Sequence, residues 1–189
     1  MIIKQSIEQH LSCINAILDS EDIISALQAA IDTIVEAYTE NRKVLFCGNG
    51  GSAADSEHLA AELSGRFKLN RKPLNADALH NSGSALTAIS NDFSYDEAYA
   101  RLVESKGLEG DILIAISTSG QSQNVINAIT KAKDLNMKII TISGQNISNF
   151  HERSDVNITI PSTDTARIQE AYMLVGHIIC EEVEKNLFA

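Results

Sequence analysis

The sequence predicts a doubly wound α/β protein, a five-stranded parallel sheet covered by helices on both faces and preceded by extra N-terminal helices. Two observations carry this. From residue 43 onward short apolar runs alternate with segments of helical periodicity, and some 40 residues of amphipathic helix come before the first run. Strictly alternating strands and helices imply right-handed crossovers and therefore parallel pairing.

Ile3, Ile7, Leu11, Ile14 and Leu18 recur every three or four residues, as one face of a helix does. Ser20 then reads as an N-cap, with Glu21 and Asp22 in the first turn and Ile24, Leu27, Ile31, Ile34 and Tyr38 following. Strands are expected at Lys43–Cys47, Ala76–Leu79, Asp111–Ile116, Met137–Ile142 and Val156–Ile160. Between them Ser52–Phe67, Tyr95–Lys106 and Ser122–Leu135 carry helical periodicity, and Thr165–Leu187 closes the chain as a long helix. No linker, repeat or low-complexity tract interrupts this order. The expectation is one domain over 1–189, with helices over 1–40 and the α/β core and last helix over 43–189.

The net charge of −10 excludes a nucleic-acid partner, because no basic cluster larger than Arg66, Lys68, Arg71 and Lys72 opposes it. An anionic small molecule is compatible, since local donors in a pocket outweigh a screened global charge. Cys13, Cys47 and Cys180 are odd in number and far apart, which suits reduced thiols in a cytoplasmic protein. No signal peptide and no run of about 20 apolar residues is visible, so no membrane association is expected.

In doubly wound sheets, ligands sit beyond the carboxyl ends of the strands. Two loops fall there. Cys47-Gly48-Asn49-Gly50-Gly51-Ser52 joins a strand to a helix, and its glycines let backbone N–H groups approach an anion; a plain tight turn reads equally well. Ser117-Thr118-Ser119-Gly120-Gln121-Ser122 places four hydroxyls and a helix start within six residues, which suits a phosphate held without Lys or Arg; the alternative is a Ser/Thr cap with turn residues. His58 and Glu62 are four apart on one helix face, a spacing for metal chelation or acid–base coupling as well as for a solvated face. Gln169 and His177 are eight apart on the last helix, hence on nearly one face but about 12 Å apart along the axis, unless Gly176 bends it. Asn91-Asp92 reads as a turn and cap. His10, His80 and His151 have no partner at useful spacing and read as surface or structural residues.

Taken in order, Gly48-Asn49-Gly50-Gly51-Ser52, His58-x-x-x-Glu62, Asn91-Asp92, Ser117-Thr118-Ser119-Gly120-x-Ser122, Arg167-Ile168-Gln169-Glu170 and His177 resemble the phosphoheptose isomerase family of sugar-isomerase (SIS) domain proteins. The resemblance spans nearly the whole chain and implies a flavodoxin-like SIS fold. It further implies that Asn49, Gly50, Gly51, Asn91, Asp92 and Gln169 contact a sugar phosphate, and that Ser117, Thr118, Ser119 and Ser122 hold its phosphate. Glu62 would be the general base, itself touching substrate, and His177 the general acid. His58, Glu62, Gln169 and His177 would bind one zinc ion per subunit. The implied activity converts sedoheptulose 7-phosphate to D-glycero-D-manno-heptose 7-phosphate, the first step of ADP-heptose synthesis for lipopolysaccharide, in a cytoplasmic homotetramer.

Many members carry an aspartate where this chain has Ser82, which puts in doubt an acidic group in that loop but not the Glu62/His177 pair. The rival readings are a non-enzymatic SIS relative that binds the replication initiator and an isomerase for another sugar phosphate. Retention of Gly51, Glu62, Gln169 and His177 together favours the enzyme. The surplus apolar surface of Ile2, Ile3, Ile7, Leu11 and Ile14 predicts a symmetric oligomer.

Overall fold

In the computed structural model, which describes residues 1–145 and 150–189, five parallel strands stand in the order β2-β1-β3-β4-β5. They are β1 (Val44–Gly48), β2 (Ala76–Ala78), β3 (Ile112–Ser117), β4 (Lys138–Ser143) and β5 (Val156–Thr159). The central strands β1 and β3 are buried at every position, as near-continuous apolar runs must be when helices cover both faces. Alternation then sorts them. Val44, Phe46, Ile112, Ile114 and Ile116 face one core, whereas Leu45, Cys47, Leu113 and Ala115 face the other.

The first core is covered by α2 (Glu21–Thr39), α3 (Gly51–Ser64) and α7 (Thr165–Phe188), with α1 (Ile2–Leu18) packed outside them; the second lies under α5 (Ala98–Lys106) and α6 (Gln123–Asp134). The expected cap of α2 is present: Ser20 Oγ accepts from the Ile23 N–H at 3.3 Å. The chain runs from β1 outward to β2, then returns past β1 to β3. The order therefore reverses between β1 and β3, and a crevice opens at their carboxyl ends. No described helix is long and apolar enough to cross a membrane.

One α-helix was not expected. Residues Gly83–Asp92 form α4, so Asn91 and Asp92 end a helix and are not a turn followed by a cap. No residue of α4 is fully buried; Ala85, Leu86 and Ile89 pack half-buried against the second core, and so short and shallow a stripe leaves a weak periodic signal. Its N-cap is Ser82, whose hydroxyl accepts from the Ala85 N–H at 3.3 Å. Serine and aspartate serve this role about equally, so the departure at Ser82 preserves the cap. The expected helix at Tyr95 begins instead as a 3-10 turn over Tyr95–Glu97.

The three cysteines are free and buried. Burial pushes the Cys47 thiol up to about 12, which keeps it protonated and inert.

Candidate active site

Both loops singled out in the sequence lie at the reversal point, one after β1 and the other after β3. At Gly50 the backbone is left-handed (φ 58°), which a glycine adopts without strain, and the chain turns directly into α3. Gly48 is needed for space: a Cβ there would stand 2.6 Å from the Ser52 carbonyl oxygen. The N-cap residues of α3 and α6, Gly50 and Ser122, make no side-chain cap bond, as at α1 and α5, whereas Ser20, Ser82 and Asp164 cap α2, α4 and α7. The two uncapped helix starts flank the crevice, where an anion would complete them.

The second loop is shaped by its own hydroxyls. Ser117 Oγ accepts from the Gly120 N–H at 3.1 Å and lies 3.3 Å from Ser122 Oγ. Ser117 is buried, Thr118 and Ser122 half-buried, and Ser119 exposed. The two loops are tied together by Asn124 in the first turn of α6. Its amide exchanges two hydrogen bonds with the Asn49 amide, at 2.8 and 2.9 Å. The Tyr95 hydroxyl donates to Asn49 Oδ1 at 2.8 Å, and the Tyr99 hydroxyl donates to the Gly48 carbonyl. Since the Asn49 side chain is engaged by Asn124 and Tyr95, it is held as part of the loop's frame.

The second cluster lies on the seam between α3 and α7. Here the helices approach closely because Gly176 leaves room for Leu59: a Cβ at Gly176 would meet Leu59 Cδ2 at 2.5 Å. Gly176 thus serves close packing, and α7 runs unbroken past it. His58 Nε2 lies 3.1 Å from His177 Nε2 and 3.2 Å from Glu62 Oε1. One ligand atom from each of these three residues falls within 4.8 Å of the others, so the group could hold a metal ion. Gln169, the fourth residue of the expected ligand set, is placed further along: its Nε2 would be 2.2 Å from a Cβ at Gly51. Gly51 is seven residues, about 10 Å of helix, before His58. Glu62 and His177 meet within a single chain, so the pair is complete without a second subunit.

Several residues of the site had no signal in the sequence. The Phe67 ring stacks on His177, with centroids 5.4 Å apart and planes 25° apart. Asp55 shares the His58/Glu62 face of α3. Burial raises its carboxyl above the ordinary range, partly opposed by the nearby His58, and its Oδ2 is buried with no hydrogen bond. His10 and His80 do have partners, brought by the fold. His10 Nδ1 is 2.7 Å from Glu170 on α7. His80 Nε2 is 3.0 Å from Glu57, close enough for an ion pair although its ring nitrogens make no well-aligned hydrogen bond. The surroundings of the His151 side chain lie outside the described part.

A reversal-point crevice with two uncapped helix starts belongs to a class that comparison identifies: a family model described as SIS domain matches residues 9–144. The phosphoheptose isomerase of Helicobacter pylori (strain ATCC 700392 / 26695) is 47% identical over 166 residues, covering 88% of this chain and 86% of its own. That of Clostridium acetobutylicum is 44% identical over 186 residues, covering 98% and 95%. A solved phosphoheptose isomerase from Francisella tularensis superposes with a TM-score of 0.92 at 30% identity, over 97% of this chain and 96% of that one. The chain belongs to the phosphoheptose isomerase family of SIS-domain proteins.

Proposed function

We propose that this chain is an aldose–ketose isomerase that converts sedoheptulose 7-phosphate to D-glycero-D-manno-heptose 7-phosphate. The observation that carries the residue assignments is the meeting of His58, Glu62 and His177 on one seam, whose N-terminal end opens onto the two loops. The reaction moves hydrogen between adjacent carbons with no outside oxidant. Glu62 takes the proton from C1 of the open-chain ketose while His177 protonates the carbonyl oxygen on C2, leaving an enediol. Glu62 then returns the proton to C2, and His177 recovers one from the hydroxyl on C1, which becomes the aldehyde. Each proton-transfer partner contributes on the order of 10²–10⁴-fold.

Ser117, Thr118, Ser119 and Ser122, with the free N–H groups of α6, hold the phosphate; Asn49, Gly50 and Gly51, together with Asn91, Asp92 and Gln169, line the sugar. Fixing the distant phosphate supplies binding energy that orients the reacting carbons. His58, Glu62 and His177 are the residues that would hold zinc. Their ligand atoms all lie within 4.8 Å of one another, and two ring nitrogens with a carboxylate oxygen are a donor set that suits zinc. Gln169 completes the implied ligand set from α7. A bound zinc would polarise the substrate's carbonyl.

We place the enzyme in the cytoplasm, at the start of ADP-heptose synthesis for lipopolysaccharide, as a homotetramer. Support for assembly comes from α1, where Ile2, Ile3, Ile7 and Leu11 are all more than half exposed. With Arg167 and Glu170 they line an open groove of about 680 Å³. Incubating the protein with sedoheptulose 7-phosphate and following the aldose by NMR tests the function. Absence of product with zinc supplied defeats it.

A further inference from the structure

The His58–Glu62–His177 group sits on two helices, and something must hold the exposed ends of those helices in register. α3 stops at Ser64, and its last carbonyls have no partners within the helix. Arg71 supplies them. Its Nη2 donates to the Glu62 carbonyl at 2.9 Å, and its Nη1 to the carbonyls of Leu63, Gly65 and Lys72 at 2.7, 3.3 and 3.1 Å. The guanidinium therefore grips the backbone of the residue that carries the carboxylate.

Glu184 grips from the other helix. It lies on α7 seven residues beyond His177, two turns along the same face. Its Oε1 accepts from the Phe67 N–H at 3.2 Å and from Arg71 Nε at 2.9 Å; its Oε2 accepts from the N–H groups of Lys68 and Leu69 at 2.7 and 2.8 Å. Those three amides carry the segment that seats the Phe67 ring on His177. Both charged side chains are almost wholly buried, at 2% and 1% exposure.

A buried ion pair is a poor device for stability alone, since apolar residues of equal volume commonly do as well. What a guanidinium fork and a four-fold-satisfied carboxylate provide is fixed geometry. We propose that Arg71 and Glu184 are positioning residues for the seam. They set the separation of Glu62 and His58 from His177, and hence the affinity and shape of the metal centre. The proposal rests on the metal reading given above.

Zinc affinity and the visible spectrum of the cobalt-loaded protein test it, with circular dichroism and mass in solution as controls. Arg71→Lys keeps the charge but loses the fork; Glu184→Gln keeps the shape but loses the charge. Both are expected to remain folded, to bind zinc about 10–100-fold more weakly, as supporting residues around a metal commonly do, and to alter the cobalt band. Ile34→Ala, on the buried face of α2, should lose stability while keeping the parent's affinity and band. Parent-like affinity and band in either folded clamp variant overturn the proposal. So does an equal loss in Ile34→Ala, which would mean that general loosening is enough, and so does failure of both clamp variants to fold. A parent without any cobalt band defeats the metal reading itself, a result distinct from the others.

Discussion

The loops at the sheet edge and the seam between α3 and α7 are built in opposite ways. Each loop is a run of neighbouring residues. Ser117 bonds both Gly120 and Ser122, and the helix that follows contributes its own N–H groups. The seam joins residues 119 positions apart, His58 and His177, whose meeting depends on Gly176 accepting Leu59 and on the Arg71–Glu184 pair. An anion site made of many equivalent local donors degrades gradually when one is lost. A site that needs a particular base and a particular acid at particular positions fails at once. The two regions should therefore respond differently to substitution, one in binding and the other in turnover.

The largest effect is expected at the seam. Glu62→Gln and His177→Ala should each lose about 10²–10⁴-fold in kcat with the fold retained, judged by NMR turnover and circular dichroism. Activity within tenfold of the parent in either would refute the assigned roles.

Next comes the metal. His58→Ala should reduce zinc from one ion per subunit to a trace, measured by elemental analysis after dialysis, because a ring nitrogen 3.1 Å from His177 Nε2 is removed. Full zinc content in this variant would place the ion elsewhere.

At the loop, Ser119→Ala and Ser122→Ala should each weaken substrate by about 1.5–3 kcal/mol, roughly 10- to 150-fold in KM, with kcat little changed. If an unphosphorylated heptulose competed as well as the phosphorylated one, the loop would have no part in recognition. Outside both regions, Ile7→Asp combined with Leu11→Asp should break the assembly and lower the mass seen by light scattering. A parent that is already monomeric and fully active would show that the α1 groove has another use.

The smallest effect is a pH dependence of stability. Burial tends to raise the Glu184 carboxyl, but the N–H groups of Leu69, Lys68 and Phe67, with Arg71, outweigh it and hold the group below its ordinary value of 4.5. The ionised form is thus favoured by folding. Its contribution is fully present above 4.5 and is lost as pH falls through the lower folded value. Denaturant unfolding from pH 6 to pH 3 should show this slope, and Glu184→Gln should flatten it. An equal slope in the variant would assign the dependence to other carboxyls.

Much of this was determined by the sequence alone, wherever the physics is local. Short apolar runs located the five strands, and a period of 3.6 located six of the seven α-helices among the described residues, because each depends on residues within a turn or two of one another. The glycines and hydroxyls of 48–52 and 117–122 marked the two loops that follow β1 and β3 for the same reason, and the ordered motifs carried the family. The helix at Gly83–Asp92 escaped because it is short and its apolar stripe, Ala85, Leu86 and Ile89, is only half-buried against the second core. Tertiary structure alone decided which distant groups meet. Asn124 joins Asn49 across 75 positions, Arg71 meets Glu184 across 113, and Phe67 covers His177. It also laid the Gln169 amide against Gly51, at the start of α3. Spacing along one helix states what shares a face; it is silent on which face of another helix comes to lie opposite, because that is settled by the packing of side chains such as Leu59 into the space Gly176 leaves.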